Sequence, residues 1–175
     1  MQGIVQKLSW RLQALFLGLF WWLVGMLPPE RASAIGARVG RLIGPWLGKH
    51  RHVLANLRIA FPNRGDPEIQ ELGRSVWGNL GATLAEYPHL AALTDMDRDD
   101  PFLEIHCAEG DCEALRTSAP VVFVAAHVGN WELSPIATFY IGVPMDVVYN
   151  PLSKPYLDAI VQLRREGFHC SFIPG

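Results

Sequence analysis

Apolar residues crowd the front of the chain and then fall into short runs. Ala14 to Leu27 carries no charged or polar side chain, and Pro28-Pro29 ends it. Counting back to Leu12 gives 16 residues broken only by Gln13, against about 20 for a perpendicular bilayer span. The segment predicts a membrane-associated helix. It either crosses a thin bilayer or lies at the interface with Trp21 and Trp22 at headgroup depth. A cleaved signal peptide is a third reading, with Lys7 and Arg11 ahead of the run and Ala32-Ser33-Ala34 as the cut site, but Arg31 and the paired prolines fit it poorly.

Glu30 to Ala60 reads as helix, interrupted at Gly44-Pro45. Within it, His50 to Ile59 sets Val53, Leu57 and Ala60 on one side. Phe61 to Asp66 is a loop. Asp66 with Pro67 behind it suits a helix start, and Ile69, Leu72, Val76 and Leu80 recur at helical spacing towards Leu84. Tyr87-Pro88 and Thr94 to Pro101 break the pattern again.

The back of the chain alternates. Phe102 to His106 predicts a short strand, Asp111 to Ser118 a helix, and Val121 to Ala126 a buried core strand. A helix follows, starting between Asn130 and Pro135. Val143 to Tyr149 predicts a second buried strand, Pro155 to Glu166 a helix ended by Gly167, and Phe168 to Ile173 a third strand. Strands separated by helices of this length imply a parallel sheet. The expected fold class is therefore α/β. An N-terminal membrane-associated helix (1–30) and a helical segment (31–100) precede a mostly parallel sheet flanked by helices (101–175), incomplete at the C-terminus.

Composition sharpens this picture. Half of the 175 residues are apolar, rich for a soluble domain and too polar for several membrane spans. Through Ala60 eight basic residues face one acid, Glu30, whereas from Phe61 onward acids outnumber bases 16 to 7. A basic front half joined to an apolar segment suits an anionic membrane surface. No helix-turn-helix, zinc-finger or aromatic platform supports nucleic acid as a partner. Cys107, Cys112 and Cys170 make an odd set without framework spacing, which argues for reduced thiols. His106, Cys107 and Cys112 lack a fourth ligand, so no metal is expected. The acidic run Asp95 to Asp100 lacks the pattern of a calcium loop. No phosphate-binding glycine loop and no Gly-x-Ser-x-Gly appear, which removes nucleotide-dependent and serine-hydrolase readings; no cofactor is expected.

The candidate chemistry lies just after the core strand, in His127-Val128-Gly129-Asn130-Trp131-Glu132. In open α/β sheets ligands bind at the carboxyl ends of strands. There, an imidazole is the side chain that takes and returns a proton near neutral pH. Gly129 permits a sharp turn and a close substrate approach. Glu132 is placed to reach back to one imidazole nitrogen and leave the other for a hydroxyl proton. That is the base-and-orienter arrangement of a serine hydrolase, with the substrate's alcohol as nucleophile. A lone His-x4-Glu is a weak pattern, and a histidine after an apolar run is often a packed core or loop residue. The preceding strand, the glycine, the apolar anchor and the basic flank shift the balance.

His127 to Leu133 resembles the active-site motif of the bacterial lipid A biosynthesis acyltransferases, the lauroyl and myristoyl transferases related to the phosphatidylinositol mannoside acyltransferases. Arg51 to Pro62 is similar to that family's arginine, Asn-Leu and Phe-Pro segment. Val148 to Leu152, with Tyr156-Leu157-Asp158, is similar to the segment after the next strand. The resemblance covers most of residues 50–175. It implies an enzyme at the cytoplasmic face of the bacterial inner membrane that moves an acyl group from an acyl-carrier-protein (or acyl-CoA) thioester to a hydroxyl of a lipid A precursor. It makes His127 the base and Glu132 its partner. Gly129, Asn130, Arg51 and Arg58 become substrate-binding candidates, although a solvated helix face accounts for the two arginines equally well. The chain departs from the family at Asn150, where many members carry a basic or aromatic residue. Members also run longer, through later strands and an Asp-Gln segment, so the chain is expected to be their N-terminal half. The rival readings are an acyltransferase for another glycolipid or phospholipid, and a non-catalytic membrane-associated fragment.

Overall fold

A computed structural model of the chain describes residues 2–106, 108, 110–117, 120–165 and 170–175. It divides into two compact units, Leu23–Pro88, and Met1–Trp22 with His89–Gly175.

The Leu23–Pro88 unit is helical. Helix α1 (Gln2–Val24) ends in it, and α2 (Pro29–Ile43), a 3₁₀ turn at Gly44–Trp46, α3 (His50–Ala60) and α4 (Asp66–Glu86) follow. Pro29 opens α2 where the missing N–H costs nothing. Gly65, rather than Asp66, caps α4, and the Glu68 carboxylate accepts the Gly65 N–H at 3.2 Å. Of the residues at helical spacing, Ile69 is buried and Leu72 and Leu80 are half-buried, but the rest of the buried line shifts by one position. The buried line of α4 is Ile69, Gly73, Trp77 and Gly78, while Val76 is exposed. Glycine decides this. A Cβ on Gly36 or Gly40 of α2, or on Gly81 of α4, would run into the facing backbone, so the two helices touch main chain to main chain. Such an approach excludes large side chains from the contact and rotates them outward. Around it, the Trp77 indole donates to His50 Nδ1 at 3.0 Å, Arg41 donates to Ser75 Oγ at 2.9 Å and pairs with Glu71, and Arg58 pairs with Asp66 at 3.0 Å.

The second unit carries the first 22 residues, most of α1. It continues through α5 (Leu90–Leu93), α6 (Asp111–Thr117), a 3₁₀ turn at Trp131–Leu133, α7 (Ser134–Tyr140), strand β1 (Asp146–Tyr149), α8 (Pro155–Arg165) and strand β2 (Ser171–Pro174). The strands pair in parallel, Asp146 opposite Ser171 through Tyr149 opposite Pro174. With α8 between them they form one βαβ crossover, the repeating piece of α/β folds. The described chain is thus mostly helical, with one small parallel sheet. α1 runs beside α8: Arg11 donates to Tyr156 Oη at 3.3 Å, Lys154 donates to Gln13 Oε1, and the Arg164 guanidinium, at the far end of α8, lies 5.7 Å from the buried Trp21 ring. No described helix is long and apolar enough to cross a membrane.

Two expected strands are not formed. Residues 102–106 have no regular structure, and neither do 121–126, where Val122 and Val124 are 87% and 93% exposed. An apolar run becomes a strand only when a neighbour pairs its N–H and C=O groups. Among the described residues nothing pairs with this one. The sheet holds two strands instead of the mostly parallel array expected. The expected ends of α6 at Ser118 and of α8 at Glu166 and Gly167, and the expected strand start at Phe168, lie outside the described residues.

Candidate functional site

His127 stands at a corner. The Val128 N–H donates to the Ala126 carbonyl at 2.8 Å, an i to i+2 closure that makes His127 the middle residue of a three-residue turn. The residue is exposed. Gly129 follows with φ of +59°, in the left-handed region where a Cβ is penalised. This is the turn for which the sequence placed a glycine after the histidine. Asn130 then caps the 3₁₀ turn, its side-chain oxygen accepting the Glu132 N–H at 3.1 Å.

That capped turn drives Glu132 inward. Its side chain is 3% exposed, and both carboxylate oxygens are taken. Arg165, in the last turn of α8, donates from Nε to Oε2 at 2.7 Å and from Nη2 to Oε1 at 2.6 Å. This is the forked geometry that suits a planar guanidinium to a carboxylate. The Trp131 indole donates to Oε1 at 3.1 Å. The guanidinium also lies 5.0 Å from the Phe172 ring centroid and 5.9 Å from that of Tyr149. These rings sit on neighbouring strands and meet edge to face at 6.2 Å. Arg165 thus joins the 3₁₀ turn to the sheet.

The imidazole of His127 packs against the same tryptophan, ring centroids 5.0 Å apart and planes tilted by 45°. Among the described residues no hydrogen bond joins His127 to Glu132. Trp131 contacts both, the imidazole with its ring and the carboxylate with its N–H. The candidate residues His127, Gly129, Asn130 and Glu132 therefore share one turn, but Glu132 reaches the histidine through Trp131.

Arg51 and Arg58 stand on α3, in the Leu23–Pro88 unit. Arg51 is exposed, and Arg58 is engaged by Asp66. Sequence reasoning missed Arg165, which lies 33 positions from Glu132. Its only trace was a basic residue in the last turn of a predicted helix, a position that the helix dipole favours anyway.

Cys170 lies half-buried just ahead of β2. Burial pushes its thiol above the ordinary value; the positive Arg165 opposes this, and the negative Asp146 and Glu132 add to it. Of the other thiols, Cys107 and the side chain of Cys112 lie outside the described residues. His106, considered beside them as a ligand, instead meets Glu104 Oε2 at 3.1 Å on the surface.

The family model for bacterial lipid A biosynthesis acyltransferases matches residues 6–175 of the chain. No curated protein and no solved structure matches it.

Proposed function

Because the chain belongs to the bacterial lipid A biosynthesis acyltransferases, we propose that it transfers a fatty acyl group from a thioester, borne by acyl carrier protein or coenzyme A, to a hydroxyl of a lipid A precursor. The observation that carries this reading is an exposed imidazole on a rigidly capped turn, with a clamped carboxylate behind it. His127 takes the proton of the acceptor hydroxyl as its oxygen attacks the thioester carbonyl. The tetrahedral intermediate collapses, the C–S bond breaks, and the imidazolium returns the proton to the departing thiolate. A base positioned in this way contributes about 10²–10⁴ in rate. Glu132 orients the histidine through the Trp131 ring, and Arg165 fixes Glu132. Gly129 and Asn130 shape the turn that faces the acceptor, and Arg51 and Arg58 meet lipid phosphates or an acidic carrier protein.

With a membrane lipid as the proposed acceptor, the proposed place of work is the cytoplasmic face of the inner membrane. The exposed apolar residues of α1, from Ile4 to Trp22, support an interfacial posture for the N-terminal anchor on an anionic surface. The test is transfer of labelled acyl chains from acyl carrier protein, and separately from coenzyme A, to a lipid A precursor in membranes carrying the wild-type or the His127→Ala chain. Loss of at least 100-fold with His127→Ala is expected. Undiminished transfer would remove His127 from the chemistry, and transfer only to a glycerophospholipid or another glycolipid would reassign the acceptor.

A further inference from the structure

α2 is apolar on two adjoining sides. One side, with Ala32, Gly36, Gly40 and Gly44, lies against α4. The other presents Ile35, Val39 and Leu42 to solvent, and Ile43, Trp46 and Leu47 continue the exposed surface. At 100° per residue, Ile35, Val39 and Leu42 fall within about 60° of one another. Arg31 and Arg38 fall within about 60° of Ile35, just beyond Leu42 and away from the side packed on α4. Leu42 is 72% exposed and Trp46 86%. Single exposed apolar side chains are ordinary, but a contiguous stripe that includes a tryptophan marks a contact surface.

Charge identifies what the surface contacts. From Arg31 to Arg51 the chain carries five basic residues and no acidic one. Arg41 is engaged by Glu71 and Ser75, on the α4 side. Arg31, Arg38, Lys49 and Arg51 are exposed. Bulky apolar residues bordered by these cations match a layer with anionic headgroups above hydrocarbon, and tryptophan favours the depth between the two.

We propose that this face of α2 and the following turn docks on an anionic bilayer, with Leu42, Ile43 and Trp46 entering the boundary between headgroups and acyl chains and Arg31 and Arg38 on the lipid phosphates. The inference extends the lipid-acceptor reading, and its test uses no turnover, so either can fail alone. In the full chain with its three cysteines replaced by serine, Trp46→Cys is labelled with an environment-sensitive fluorophore. It is then mixed with phosphatidylglycerol–phosphatidylethanolamine vesicles or with phosphatidylcholine vesicles. On the anionic vesicles the label should shift to the blue, lose iodide quenching several-fold and be quenched by lipids brominated near the glycerol end of the acyl chain. Arg31→Ala with Arg38→Ala should weaken partitioning onto anionic vesicles about 25-fold, from about five-fold per arginine, and leave phosphatidylcholine unaffected. Three results would overturn the proposal. The chain could sediment with vesicles through other apolar surfaces while position 46 stays open to iodide. The chain could fail to bind anionic vesicles at all. Position 46 could be shielded without lipid as protein concentration rises, which would assign the face to a second copy.

Discussion

Replacing Arg165 with methionine should destabilise the fold by about 3 kcal/mol, and the site explains the size of the effect. Methionine keeps an apolar stem against Tyr149 and Phe172. What is lost is the fork on Glu132, two charge-assisted bonds of 2.6 and 2.7 Å onto a carboxylate 3% exposed. Each such bond contributes about 1.5–3 kcal/mol. Removing one member of a buried pair costs about 3–5 kcal/mol, because the other charge is left in a poor solvent. The guanidinium side chain is itself 15% exposed, so water can partly replace it. That places the loss at the lower end. For a chain of this size about 3 kcal/mol corresponds to a melting temperature lowered by about 6–12 °C. Glu132→Gln keeps an acceptor for the Trp131 indole while removing the charge, and Arg165 retains some solvent contact, so it should cost less. Urea unfolding of the two single variants and of the double variant closes a cycle. The expected coupling is about 2 kcal/mol, with the double variant more stable than the sum of the singles implies. Single effects that add to within about 0.5 kcal/mol would show that the pair is not coupled, and the clamp described here would not exist.

Three further outcomes follow from neighbouring features. Gly129→Ala places a Cβ in the left-handed region at φ of +59°, with nothing within 4 Å to collide, so its cost of about 1–2 kcal/mol is backbone strain alone; Asn at 129 should recover part of it, and equal melting of the Ala and Gly forms would contradict the turn. In a background lacking Cys107 and Cys112, alkylation of Cys170 should rise with pH through a midpoint above that of an ordinary thiol, because burial keeps the thiol protonated. Arg165→Met should move this midpoint further up and Asp146→Asn should move it down, since the first removes a lowering charge and the second a raising one; shifts of the opposite sign would exclude this neighbourhood. Gly36→Ala drives a Cβ into the Gly81 carbonyl and should cost about 1–3 kcal/mol in a thermal melt, whereas Gly18→Ala in α1 meets open space and should gain about 0.5–1 kcal/mol.

The helical front half was legible because helices are specified locally. Pro29 and Pro67 in opening turns and the apolar spacing of Ile69 and its successors set α2 and α4 within a few residues. The buried face of α4 was less legible. Periodicity ranks large apolar side chains first, whereas Gly81 lies in the contact because it lets the α2 backbone approach, and Gly73 and Gly78 leave room for the Leu54, His50 and Arg41 side chains. Strands were harder still. Val121 to Ala126 has the composition of a core strand, yet a strand is a relation between two segments, and the sequence of one cannot reveal whether the other is there. β1 and β2 were found within a few residues, being the two segments that have each other.

The same distinction governs the site. The turn from Ala126 to Glu132 was readable because its parts lie within a few residues of one another. Gly129 supplies the left-handed step, and Asn130 caps the turn that buries Glu132. The partner of Glu132 was not readable, because adjacency in sequence favoured His127 and burial favours Arg165. A carboxylate driven to 3% exposure needs a counter-charge with several aligned donors. A neutral imidazole offers one N–H, whereas a guanidinium offers a matched pair. Once Arg165 holds both oxygens, the carboxylate is compensated and fixed, and it acts on its surroundings as a rigid support rather than as a free charge. In the mechanism we propose, the mobile proton is carried by His127 at the exposed corner, and Trp131, which contacts both groups, supports it. On this reasoning Trp131→Phe, which keeps a ring against His127 but loses the N–H to Glu132, should reduce turnover far less than Trp131→Ala. Equal losses in the two variants would mean that the ring does not position the histidine.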